Sequence, residues 1–193
     1  MGDPVWPPAN MPVFYGRVDP APTERKKPMQ NYMRIEIPAK SSNESLARSV
    51  VAAFAAQLDI TMEDMQDIKT AVSEAVTNAI IHGYGVYSEG DKHDENDTTS
   101  PPGEVCMSLR IEGRTLYVQV SDNGAGIADI AQARQPLFTT LPEAERSGLG
   151  FTVMENFMDR VDVVSSPGKG TCVDMVKQLP VAGHTPVPTG GQA

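Results

Sequence analysis

Apolar side chains recur along this chain in two rhythms, and the order in which the rhythms alternate predicts an α/β fold. Arg34-Ile35-Glu36-Ile37 alternates like a short half-buried strand. Ser41 followed by Glu44 has capping-box spacing, and Leu46, Val50, Phe54 and Leu58 then recur at helical intervals. Thr61 and Asp64 repeat the signature ahead of a second helix that runs to about His82, with Met65, Ile68, Val72, Val76 and Ile80 on one stripe. Periodicity stops over residues 84–104. There Gly85, Gly90, a charged run from Asp91 to Asp97 and Pro101-Pro102-Gly103 predict a long surface loop. Alternation returns in Val105 to Ile111 and Thr115 to Ser121, joined by Glu112-Gly113-Arg114 with hairpin spacing. Pro136 and Pro142 break the stretch after Gly126, Phe151 to Phe157 has a helical pattern, and Val161 to Ser165 with Cys172 to Gln178 read as a closing strand pair around Ser166-Pro167-Gly168-Lys169-Gly170. The series predicts a two-layer α/β sandwich, with helices packed on a mixed, mostly antiparallel sheet.

The ends of the chain lack this order. Residues 1–28 carry Pro4, Pro7, Pro8, Pro12, Pro20, Pro22 and Pro28 without periodicity, which predicts a disordered or extended arm. Residues 181–193, with Pro186, Pro188, Gly190 and Gly191, read as a flexible tail, leaving one folded domain over residues 29–180. The net charge of −9 changes the picture by disfavouring a phosphate-backbone binder, so a protein or small molecule is the expected partner rather than nucleic acid. No apolar run approaches the ~18 residues of a membrane helix, and the N-terminal stretch lacks the apolar core of a signal peptide. Cys106 and Cys172 have no metal-ligand spacing. Reduced thiols in a cytoplasmic protein are expected.

Three segments carry candidate chemistry. Glu74, Asn78 and His82 follow one another by single turns on the second helix, away from its apolar stripe. A carboxylate there can take a proton from an attacking hydroxyl, and an amide oxygen is a hard ligand suited to Mg²⁺; alone, the pattern better suits a plain solvated helix face. Ser121-Asp122-Asn123-Gly124-Ala125-Gly126-Ile127 follows a strand directly. Asp122 can accept a hydrogen bond from an exocyclic amine such as adenine's, and Gly124 and Gly126 let the backbone turn and approach a ligand, although Asp-Asn-Gly is also ordinary turn chemistry. Arg146-Ser147-Gly148-Leu149-Gly150-Phe151-Thr152 opens the third helix with glycines, which suits either a phosphate cradle, with Arg146 reaching a terminal phosphate, or a hinge. Gly168-Lys169-Gly170-Thr171 lacks the upstream glycine of a P-loop and lies between strands, which excludes that motif.

Taken in order, Glu-x-x-x-Asn-x-x-x-His, Asp-x-Gly-x-Gly, Gly-x-Gly and Gly-x-Gly-Thr resemble the Bergerat-type signature shared by gyrase, Hsp90 and histidine kinases (the GHKL superfamily). Val72 to Tyr84, Ala133 to Thr140 and Arg146 to Asp159 resemble the nucleotide box, ATP lid and second glycine box of the sporulation branch of the anti-sigma factor serine kinases. The lid is expected over residues 128–147. The resemblance implies a homodimer that binds and inhibits the sporulation sigma factor F and phosphorylates a serine of an anti-anti-sigma factor with Mg-ATP. It implies Glu74 as catalytic base and Asn78 as Mg²⁺ ligand. Asp122 would read adenine with support from Thr171, Gly124, Gly126, Gly148, Leu149 and Gly150 would shape the ATP/ADP pocket, Arg146 would touch the terminal phosphate, and Arg48 would lie on the partner surface. The pattern departs at Asn123, where this family is expected to carry an acid, in a longer loop from Val86 to Gly103, and in the N-terminal arm. A sensor histidine kinase would need a phosphoacceptor helix, which the arm does not supply. A sigma-sequestering module without phosphotransfer and a general-stress anti-sigma kinase stand as alternatives.

Overall fold

In the computed structural model, which describes residues 30–85, 103–135 and 148–180, the strand rhythm becomes a sheet with one buried face. The strands are β1 (Gln30–Pro38), β2 (Glu104–Glu112), β3 (Thr115–Asp122), β4 (Arg160–Ser165) and β5 (Thr171–Gln178). They lie in the order β1-β2-β3-β5-β4. Every ladder among the described residues is antiparallel, so the expected mixed sheet is narrowed to an antiparallel one. Register puts Met107 opposite Val120, Leu109 opposite Val118 and Ile111 opposite Leu116, so alternate residues of β2 and β3 present a continuous apolar surface. Those six side chains are buried. Gly113, at φ 61°, closes the β2–β3 hairpin in a conformation that favours glycine.

Among the described residues four α-helices accompany the sheet: α1 (Asn43–Ala55), α2 (Met62–Asn78), α3 (Ile130–Ala133) and α4 (Gly150–Phe157). Helix α2 packs against both α1 and α4 and buries Ile68, Ala71, Val72, Ala75 and Val76. Its start follows the expected capping chemistry: the Asp64 N–H donates to Thr61 Oγ1 at 3.0 Å and the Thr61 hydroxyl donates to the Asp64 carboxylate at 2.7 Å. Lys177 on β5 locks this corner, donating to the Phe157 carbonyl at 2.9 Å and lying 3.4 Å from Asp67.

Helix α1 departs from expectation in two ways. Ser42 is its N-cap residue and makes no side-chain cap, while Glu44 reaches Ser73 on α2 and Arg48 one turn on, so the Ser41 capping box does not form. The buried face consists of Ala47, Val51, Phe54 and Ala55, whereas Leu46 is 46% exposed. A ladder spaced by four residues drifts about 40° around a helix at each step, and its first member therefore leaves the face on which Phe54 lies. The small Ala47 and Ala55 let α1 sit close to its neighbour. The arm (1–28), residues 86–102 of the expected loop, residues 136–147 of the expected lid and the tail (181–193) lie outside the described residues. Among the described residues no helix is long and apolar enough to cross a membrane.

Candidate functional site

Helix α2 does not end as a regular helix. Past Asn78 it widens into a π-helical turn over Ala79–Gly83, a feature frequent at functional sites. The turn delivers Gly83 to the end of β3: its carbonyl accepts the Ala125 N–H at 2.8 Å, and a Cβ at Gly83 would stand 2.9 Å from Asp122 Oδ1. A cavity of about 730 Å³ opens between this turn, the loop after β3 and the start of α4. Glu74, Asn78, Asp122, Gly126, Gly148, Leu149, Gly150 and Thr171 all line it, so segments separated by nearly a hundred residues converge as the sequence pattern anticipates.

At one end stands Asp122, only 4% exposed. Its carboxylate accepts the Gly124 N–H at 2.9 Å. Burial raises its pKa above the ordinary carboxylate value, and backbone hydrogen bonds from Gly124 and Thr171 oppose that rise. Gly124 itself does not line the cavity among the described residues; a Cβ there would overlap the Gly83 carbonyl, so protein backbone rather than ligand demands glycine at this position. Gly170, at φ 79°, is held equally tightly, since a Cβ would overlap the Asp122 carbonyl oxygen. Ser165 braces the same loop: its hydroxyl accepts the Ile127 N–H at 2.8 Å, donates to the Gly170 carbonyl at 2.8 Å and lies 2.9 Å from Thr171 Oγ1. Thr171 is thereby joined to the loop it was expected to support.

At the other end the first residue of α4 faces α2. A Cβ placed on Gly150 would stand 3.0 Å from Asn78 Nδ2, 3.2 Å from Glu74 Oε2 and 3.3 Å from Asn78 Oδ1. A carboxylate and an amide oxygen thus converge at the start of a helix, whose first N–H groups have no partner within the helix, an arrangement suited to anionic oxygens and a hard cation. Mg²⁺ fits such a donor set, because it usually keeps waters and takes only one or two protein oxygens beside substrate phosphates. Glu74 and Thr77 also line a second, polar recess of about 220 Å³ with Ser41, Glu44 and Ser73. Arg48 lies away from the main cavity, with a side chain 43% exposed and 3.2 Å from Glu44. Arg146 falls outside the described residues.

Sequence reasoning passed over Gly83 and Ser165 as parts of this site. The Gly-Tyr pair directly after His82 was a signal for the first, at the point where helical periodicity lapses. Ser165 leaves none, because a serine at a strand end is commonplace.

The histidine kinase-like ATPase domain family matches residues 37–177. The Anti-sigma F factor of Anoxybacillus flavithermus is 53% identical over 151 residues, covering 78% of this chain and 94% of the relative. That of Bacillus subtilis is 52% identical over the same shares. A structure of RsbU and RsbW domains from Mycobacterium tuberculosis superposes with a TM-score of 0.52 at 19% identity, a likeness of fold alone. It covers 77% of this chain, which spans about a third (32%) of that longer one.

Proposed function

We propose that this chain, which belongs to the histidine kinase-like ATPases and among them to the anti-sigma F factors, is an ATP-dependent protein serine kinase that also sequesters a sigma factor. The observation that carries the kinase reading is the convergence of Glu74 and Asn78 on the start of α4, opposite a buried Asp122. Phosphoryl transfer asks a protein mainly for positioning and charge stabilisation, and this cavity offers groups for each part.

In this reading Asp122 accepts a hydrogen bond from the adenine amine and Thr171 supports that end. Backbone N–H groups at Gly148, Leu149 and Gly150 bind phosphate oxygens, and Arg146, two residues before Gly148 in sequence, reaches the terminal phosphate. Asn78 would hold Mg²⁺, which supplies charge neutralisation between the phosphates when bound. Glu74 orients the incoming serine hydroxyl and takes its proton. The polar recess that Glu74 also lines offers that hydroxyl a route to the carboxylate. The phosphoacceptor is a serine of an anti-anti-sigma factor, and the sequestered protein is the sporulation sigma factor F. Arg48, exposed on α1, contributes to the partner surface. The working form is a cytoplasmic homodimer.

The test is a purified-protein assay with labelled Mg-ATP and the anti-anti-sigma protein, scoring phosphoserine, together with a sigma-factor binding assay. Transfer that Glu74→Ala abolishes, while ATP and sigma-factor binding survive, is the expected result. ATP and sigma-factor binding without any transfer by the unaltered chain would replace the kinase with a nucleotide-gated sequestering module.

A further inference from the structure

We propose that Tyr84 is a positioning residue for base recognition, fixing the peptide that carries Asp122 and so setting how strongly the site prefers adenine over bases that lack its exocyclic amine. The proposal rests on the reading of Asp122 as the adenine acceptor.

Tyr84 is the first residue beyond the π-helical turn. Its hydroxyl accepts the Asn123 N–H at 2.9 Å and donates to the Glu104 carbonyl at 2.8 Å. Its ring covers Gly103, where a Cβ would overlap the ring carbons. One side chain therefore joins the end of α2, the start of β2 and the loop after β3.

The Asn123 N–H is one edge of the Asp122–Asn123 peptide plane, and the Asp122 carbonyl is the other. Gly170 presses against that carbonyl edge, and the Tyr84 hydroxyl holds the N–H edge. With both edges held, the backbone ψ of Asp122 is restrained, and with it the direction in which the Cα–Cβ bond carries the carboxylate. The Gly124 N–H and the close approach of Gly83 then fix the carboxylate oxygens. Without the hydroxyl, the peptide is gripped from one side only. Asp122 then samples orientations in which its oxygen no longer meets the base amine, which lowers affinity for adenine nucleotides and leaves the phosphate end alone.

Equilibrium binding of Mg-ATP and of Mg-inosine triphosphate, which has a carbonyl in place of the amine, tests this on the full chain and on Tyr84→Phe. The unaltered chain should prefer ATP. Tyr84→Phe should weaken ATP binding by about three- to tenfold, the worth of one net hydrogen bond, and change inosine triphosphate binding by less than about twofold. Parallel losses for both nucleotides, or no loss for either, would overturn the positioning role while leaving Asp122 as the adenine reader. An unaltered chain that binds both nucleotides equally would instead overturn the reading of Asp122. The phenyl ring still covers Gly103, so a thermal melt should stay close to that of the parent. Should the variant melt early, Tyr84→Phe added to Asp122→Asn decides the matter by non-additivity: no further loss of ATP affinity beyond Asp122→Asn supports action through Asp122, and an additive loss refutes it.

Discussion

The two ends of the cavity are made of different material. The base end is backbone pressed on backbone: Gly83 against Gly124, Gly170 against the Asp122 carbonyl, with a single buried carboxylate between them. The phosphate end is side chain against helix start, with Glu74 and Asn78 reaching Gly150 across the gap between α2 and α4. At the first end most close contacts depend on a missing Cβ around one carboxylate, and at the second the functional groups of Glu74 and Asn78 face the helix start. Loss of stability and loss of activity should therefore separate along the cavity.

The largest expected effect is at the phosphate end. Glu74→Ala should lower the phosphotransfer rate by about 10²- to 10⁴-fold, the contribution of a positioned general base, with little change in melting temperature. A matching collapse of ATP binding or of the melt would erase the distinction between the ends. Next comes Gly170→Ala. A methyl group there meets the Asp122 carbonyl at a φ of 79°, and about 2–4 kcal/mol of stability should be lost in urea denaturation. A loss below about 0.5 kcal/mol would show that the base end can yield.

A pH titration sharpens the contrast further. The Asp122 pKa is raised by burial, so in the native state its protonated form is favoured relative to the unfolded chain. Between the unfolded and folded pKa values the native chain binds more protons, so this group's contribution to stability falls as pH rises through that window. If Asp122 accepts from the adenine amine as proposed, its ionised form is the stronger acceptor, so nucleotide binding runs the other way. ATP affinity should decline on acidification from a pH above the ordinary carboxylate range, and Asp122→Asn should remove that dependence. A decline that survives in Asp122→Asn would assign it to another group.

The same division governs what could be read from the sequence. Glu74, Asn78 and Asp122 stood out as candidates because functional groups at turn spacing and at a strand end fall in the order of a known signature, although each pattern alone also suits a solvated face or an ordinary turn. The antiparallel hairpins were legible because alternate burial leaves a period of two, and Leu109 opposite Val118 is that rhythm made spatial. Gly83 left only the lapse of helical periodicity after His82 as a signal and Ser165 none, since their work is to touch backbone distant in sequence. The purpose assigned to Gly124 changed for the same reason: the sequence showed a glycine beside a candidate ligand group, and only the fold showed Gly83 pressed against it. On α1, large apolar residues drew attention to Leu46, while the helix packs through Ala47, whose small size is informative only once a neighbouring helix is in place.

The smallest effect is expected where the two ends are bridged. Arg134, just past α3, meets Glu155 on α4 through its Nη2 at 2.6 Å and its Nε at 2.8 Å. Gln132 and Ala133 of α3 and Gly150 and Phe151 of α4 line the same cavity. Both nitrogens meet the single Oε1 oxygen of Glu155, a charge-assisted contact. Both side chains are more than a third exposed, however, and an exposed ion pair gains little Coulomb energy from water while ordering two long side chains. Arg134→Ala should therefore cost about 0.2–1 kcal/mol in urea denaturation, and less at high salt. ATP affinity should change by less than about threefold, since the bonds of this pair join Arg134 to Glu155 and reach none of Glu74, Asn78 and Asp122. A loss of ATP affinity above about tenfold at unchanged stability would mean that the ion pair sets the spacing between the two walls. The base and phosphate ends would then be one mechanical unit, and the separation of stability from activity along the cavity would fail.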